Sequence, residues 1–144
     1  MTSTTFSHRH QPYVINRYSF VRGGANDLYQ IDFINDRRQG FGVPAKSVVV
    51  RNDGGGVGSD YLHVQYAEYK HYYTPDLSLY EGEALVIKPD DGVLVSNMLI
   101  WADSARLSFS LVATPGQWSN KELKDFGLLG TIVEQSTSDF GGLF

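Results

Sequence analysis

The chain contains no cysteine. That excludes a disulfide scaffold, a thiolate zinc site and a cysteine nucleophile, while leaving the redox compartment open. No apolar run approaches the roughly 20 residues of a membrane helix. The opening stretch Met1-Thr2-Ser3-Thr4-Thr5-Phe6-Ser7-His8 lacks the apolar core of a secretory signal. The expectation is a chain made and kept soluble in a cytoplasm, without a membrane partner. Motifs for nucleotide or acyl chemistry are missing too: there is no G-x-S-x-G, no Walker A and no dinucleotide fingerprint. Gly54-Gly55-Gly56 lacks the Lys-Ser/Thr and the following helix that phosphate binding needs. The calcium-loop pattern is absent. No cofactor, metal site or catalytic group is expected, so the chain reads as a binding or assembly protein and not an enzyme.

What is present suits one globular domain. A chain of 144 residues with 42% hydrophobic content can bury about two thirds of its unfolded surface. Nine Tyr and eight Phe favour strands and contact surfaces. The net charge of −4 is uneven: residues 1–38 hold five Arg against three Asp, and the remainder is acidic. Scatter explains this, or a head-to-tail contact between a basic arm and a neighbour's acidic body. The basic patch is too sparse for nucleic acid.

Residues 1–12 read as a flexible arm. Strands are expected at Tyr13–Val21 and Leu28–Ile34, joined as a hairpin by Gly23-Gly24-Ala25-Asn26. In the second, Tyr29, Ile31 and Phe33 alternate with Gln30 and Asp32, the period of a half-buried strand. Asn35 to Gly42 reads as a polar loop. Further strands are expected at Ser47–Arg51, Tyr61–Tyr69, Ala84–Ile87, Val93–Trp101, Arg106–Ala113 and Thr131–Gln135, with a turn at Pro89-Asp90-Asp91-Gly92. Ser119 is placed to cap a short helix reaching Phe126. About eight short strands with frequent turns imply an all-β fold. The expected form is a two-sheet antiparallel β-sandwich over 13–135, jelly-roll or immunoglobulin-like, with extended N- and C-terminal arms; a closed barrel is second.

Few residues suggest chemistry. His8 and His10 have no third ligand nearby. His63-Val64-Gln65-Tyr66-Ala67-Glu68 is like the metal motif of cupins, but Gln65 stands where the second His belongs and no His follows His71. His63 is expected to face solvent or a subunit contact, because Leu62 and Val64 take the inner face. Asp60, Asp76 and Asp103 read as isolated, and the pairs Glu81/Glu83 and Asp90/Asp91 as turn carboxylates. The run Tyr69-Lys70-His71-Tyr72-Tyr73 reads equally as a core edge or a contact surface. Residues 136–144 carry Phe140, Leu143 and Phe144, each worth roughly 1.5–3 kcal/mol on full burial. This segment is expected to dock on its own domain or on a neighbour.

Ser47-Val48-Val49-Val50-Arg51-Asn52-Asp53-Gly54, followed by Leu77-Ser78-Leu79-Tyr80-Glu81-Gly82-Glu83-Ala84-Leu85-Val86-Ile87, resembles small structural proteins of tailed-bacteriophage particles. In those, a strand ending in Arg-Asn precedes a Leu-x-Leu corner; here Tyr80-Glu81 stands near the corner's Pro. Met98-Leu99-Ile100-Trp101 and Leu107-Ser108-Phe109-Ser110-Leu111 continue the likeness, which covers about 47–113. The resemblance implies a virion structural protein, a capsid decoration or minor head or tail component assembled in the host cytoplasm. Its partners would be its own copies, as a trimer or larger, and other virion proteins. Candidate assembly contacts are Phe6, Arg9, Tyr13, Tyr72, Tyr73, Phe140, Leu143 and Phe144. The alternative is a carbohydrate-binding or host-receptor-binding sandwich with Tyr72, Tyr73 or Trp101 as stacking platform. A small lyase or isomerase on a barrel lacks its residues.

Overall fold

Val14, Val112, Val49 and Val86 stand opposite one another, in that order, across four antiparallel strands. The computed structural model that shows this describes residues 11–58 and 60–128. Eight strands are formed: β1 (Tyr13–Ser19), β2 (Tyr29–Asp32), β3 (Ser47–Gly54), β4 (Leu62–Glu68), β5 (Leu77–Leu79), β6 (Ala84–Ile87), β7 (Val95–Ala102) and β8 (Ser108–Thr114). They make two four-stranded sheets, ordered β1-β8-β3-β6 and β2-β7-β4-β5. Strand one pairs with eight, two with seven, three with six and four with five, all antiparallel. A ribbon doubled on itself and rolled into two sheets is the jelly roll, so of the two expected sandwich types the jelly roll forms.

The two inner faces are closed by side chains in the period-2 pattern of half-buried strands. Val48, Val50, Leu62, Val64, Met98, Ile100, Phe109 and Leu111 are fully buried. The expected hairpin of the first two strands does not form: β1 and β2 lie in different sheets. The Gly23-Gly24 turn instead carries the chain between sheets, against the turn after β7. A Cβ on Gly23 would sit 2.4 Å from the Asp103 carbonyl oxygen, so only glycine allows this approach. After β1 the backbone stays bonded to β8's approach through Phe20 N–H to Leu107 O and Arg106 N–H to Phe20 O.

The stretch read as a polar loop at Asn35 to Gly42 is also part of the core. Phe41 is buried and stacks on Phe33 at 5.8 Å, and Val43 and Ala45 follow it inward. β3 runs beyond Arg51 to Gly54, with an irregular register between Asn52 and Gly54. Asn52 is fully buried there. Its Nδ2 donates to the carbonyls of Asp60 (2.6 Å) and Leu79 (2.9 Å), and its Oδ1 accepts from the Gly54 N–H (2.8 Å). Its own backbone pairs with Glu83 and Gly82, so one residue fixes the crossing from β5 to β6.

The short helix α1 (Asn120–Asp125) starts on a reciprocal cap, with Ser119 and Glu122 each bonding the other's backbone N–H. Lys46 ties it to β3 through Glu122 (2.8 Å) and the Gln117 carbonyl. Trp118 and Leu123 complete that end of the core. The expected strand at Thr131–Gln135 and most of both arms lie outside the described residues.

Candidate functional site

The outward-facing residues of the two sheets differ in chemistry. On the β1-β8-β3-β6 sheet the four valines introduced above form a straight apolar row, each between 42% and 49% exposed. Hydroxyls and charge flank it, with Ser47 bonded to Thr114 on one side and Ser110 and Arg51 paired on the other. β-branched side chains favour strands on either face, but four aligned across a solvent face leave apolar surface that strand formation alone does not require.

The β2-β7-β4-β5 sheet presents aromatics and polar groups instead. Across one row, Trp101 pairs with His63 and His63 with Ser78. His63 faces outward, as its inward neighbours Leu62 and Val64 dictate, yet its side chain is only 15% exposed. Asp76 and Asp103, which the sequence leaves isolated, close on it from two loops. Asp76 Oδ2 lies 2.7 Å from Nδ1 and Asp103 Oδ1 lies 2.6 Å from Nε2. The ring stacks on the Trp101 indole at 5.2 Å and 14°. A doubly protonated ring donates to both carboxylates; a neutral one donates to one alone. The Ser78 hydroxyl lies 3.3 Å from Nδ1, the nitrogen that Asp76 already holds. The two carboxylate contacts tie the loops that carry Asp76 and Asp103 to β4 through one ring. Among the described residues no group of three or more His, Cys, Asp or Glu could hold a metal ion.

Two rows away on the same face, Asp32, Asn97, Ala67 and Tyr73 stand in register across β2, β7, β4 and the segment before β5. The short Ala67 side chain separates the longer Asn97 and Tyr73. A cleft of about 320 Å³ opens here, lined by Gln30, Asp32, Asn35, Asp36, Tyr73 and Asn97. Asp32 and Asp36 are held in place by turn backbone: Asp32 accepts from Ile34 and Asn35, and Asp36 from Arg38 and Gln39. Burial pushes the Asp36 carboxyl up, but the Tyr13 hydroxyl at 2.8 Å and those two N–H groups hold it below the usual carboxylate range. Burial, then Asp36 itself, pushes the Tyr13 phenol far up. Burial and the nearby Asp32 carboxylate also raise Tyr73.

Comparison with known proteins finds no matching family model, no matching curated protein and no matching solved structure.

Of the residues expected to make assembly contacts, Tyr13 is corrected: it is 3% exposed, packs edge-on to Phe33 and bonds Asp36, so it belongs to the core. Its alternation with buried Ile15 carried that signal. Tyr72 is 97% exposed and Tyr73 lines the cleft. Phe6, Arg9, Phe140, Leu143 and Phe144 lie outside the described residues. Trp101, the alternative stacking platform, has one ring face covered by His63.

Proposed function

We propose that this protein is a structural component of a tailed-phage particle, a capsid decoration or minor head or tail protein, and that it works by protein–protein assembly. The observation that carries the reading is the row of half-exposed valines across the β1-β8-β3-β6 sheet. A fold hosts many functions, so the jelly roll itself, shared by viral capsid and lectin domains, is only background. The resemblance of residues 47–54 and 77–87 to phage structural proteins adds to the reading. Those two segments meet in the structure, where Asn52 bonds the Leu79 carbonyl.

The occupant proposed for the row is a neighbouring copy of this chain, through its apolar segment Phe140, Leu143 and Phe144. Two valine rows laid face to face would fall well short of the roughly 800 Å² per partner of a stable interface. A short apolar segment matches the row in length, and its attachment to a neighbouring domain would add contacts beyond the row. Four strands at about 4.8 Å spacing make a row about 14 Å long, and five extended residues reach about 17 Å.

Light scattering on the full chain tests this. The wild type is expected to form a trimer or larger. Val49→Thr with Val112→Thr, and separately Leu143→Ser with Phe144→Ser, are each expected to dissociate it. A wild type that stays monomeric at every concentration, or an oligomer indifferent to both pairs, overturns the reading.

A further inference from the structure

The cleft beside Tyr73 is a second surface, on the opposite sheet from the valine row. Three of its polar side chains, Gln30, Asn97 and the Tyr73 phenol, make no hydrogen bond with another described residue. Two amides and a phenol line one cleft without a protein partner, so water satisfies them in the free protein and a ligand's hydroxyls can take its place. The volume of about 320 Å³ sits at the small end of ligand pockets, about 300–1,000 Å³.

The lining also selects the chemistry. It holds two carboxylates and no Lys or Arg, so phosphate, sulfate and other anions are repelled. The carboxylates do not call for a cation either. Each already accepts backbone N–H groups, and Asp32 also accepts from the Asn35 amide (3.2 Å) and Asp36 from the Tyr13 hydroxyl (2.8 Å). These bonds fix their geometry, with lone pairs left over for hydroxyl donors. Amides supply a donor and an acceptor side by side, the arrangement that two neighbouring hydroxyls match. The Tyr73 ring, 42% exposed, adds an apolar wall for C–H groups.

We propose that this cleft binds one ring of a neutral sugar, its hydroxyls held by Gln30, Asn97 and the Asp32 and Asp36 carboxylates and its C–H face laid on Tyr73. The inference is independent of the assembly reading, because none of these residues belongs to the valine row.

The test is a glycan array with the full chain, followed by saturation-transfer NMR with the neutral sugars that bind. Tyr73→Ala, Asn97→Ala and Gln30→Ala are each expected to weaken binding about tenfold or more, the loss of one good contact. Tyr72→Ala, next in sequence but outside the cleft, is expected to leave it unchanged. Near-UV circular dichroism confirms that each variant is folded. Light scattering on the same variants is expected to show unaltered mass, which separates this site from the assembly face. Binding to no neutral glycan, binding to anionic glycans alone, or equal binding by all three cleft variants overturns the proposal.

Discussion

Asn52 donates through Nδ2 to the carbonyl oxygen of Leu79 at 2.9 Å, joining β3 in one sheet to the end of β5 in the other. The residue is fully buried, and each of its side-chain polar atoms is used.

Asn52→Ala is therefore expected to cost about 2–4 kcal/mol, because it leaves the buried Gly54 N–H and the part-buried Leu79 and Asp60 carbonyls without that partner. Urea denaturation measures it. A loss below about 1 kcal/mol, the size of a single exposed hydrogen bond, would show that water replaces the side chain.

His63→Ala removes both carboxylate contacts and the stack on Trp101. The expected loss is about 1–2 kcal/mol, since charge-assisted hydrogen bonds are strong but the two Asp side chains are partly exposed. The effect should be local. Amide exchange of Ser78 and Leu79 is expected to accelerate, while exchange in β8 keeps its wild-type rate. Uniform acceleration across both sheets would argue against a loop clamp.

Acid should weaken the fold through Asp36 and Glu122. Glu122 is held below the usual range chiefly by its hydrogen bond from Lys46, and Asp36 by Tyr13 and backbone N–H groups against its burial. Folded values below the unfolded ones mean that this stability is present above the ordinary carboxylate range, about pH 4, and is lost as pH falls through the folded values. Melting temperature followed from pH 7 down to 3 is expected to fall less in Asp36→Asn with Lys46→Met than in the wild type, although the variant starts lower. Parallel curves would remove both groups from the acid transition.

Alkali should act in the opposite sense through Tyr13 and Tyr29, both raised first by burial. The native state holds these phenolic protons more tightly than the unfolded chain. Their contribution is complete below about pH 10, the unfolded phenol value, and is lost as pH rises beyond it. Tyr13→Phe is expected to flatten the loss of stability between pH 9 and 12 in chemical denaturation, with a small cost at pH 7 from the missing bond to Asp36. A Tyr13→Phe curve as steep as the wild type's would assign the alkaline transition elsewhere.

Most strands were legible, but β5 (Leu77–Leu79) was not, because three residues are too short a run to stand out from the turns around them. Ala84–Ile87 forms as read, and Ser119 caps its helix as read. Pairing was not legible, because local pattern does not say which strand a turn delivers the chain to. Gly23-Gly24 has the composition of a hairpin turn, yet its absent Cβ serves a close crossing over Asp103. Phe41 joins the core from a stretch with no period, so only tertiary contact reveals it. The His63 clamp was hidden for the same reason: its carboxylates come from 13 and 40 residues away, brought close only by loop packing. The cleft depends on a register that sets Asn97 beside both Asp32 and Ala67, and no spacing in the sequence encodes that.

The pairing of strand four with five, three with six, two with seven and one with eight also grades the pairs by the length of chain each must close. Only β4 and β5 meet through a short connection; each later pair closes a longer loop, ending with Tyr13 against Ala113. Topologies so rich in distant contacts fold slowly, in about milliseconds to seconds. The valine row draws its members from β1, β8, β3 and β6, so it is complete only when the pair that closes the longest loop is formed. A chain in which β1 has not reached β8 lacks Val14 from the row, so the complete row belongs to the finished fold alone.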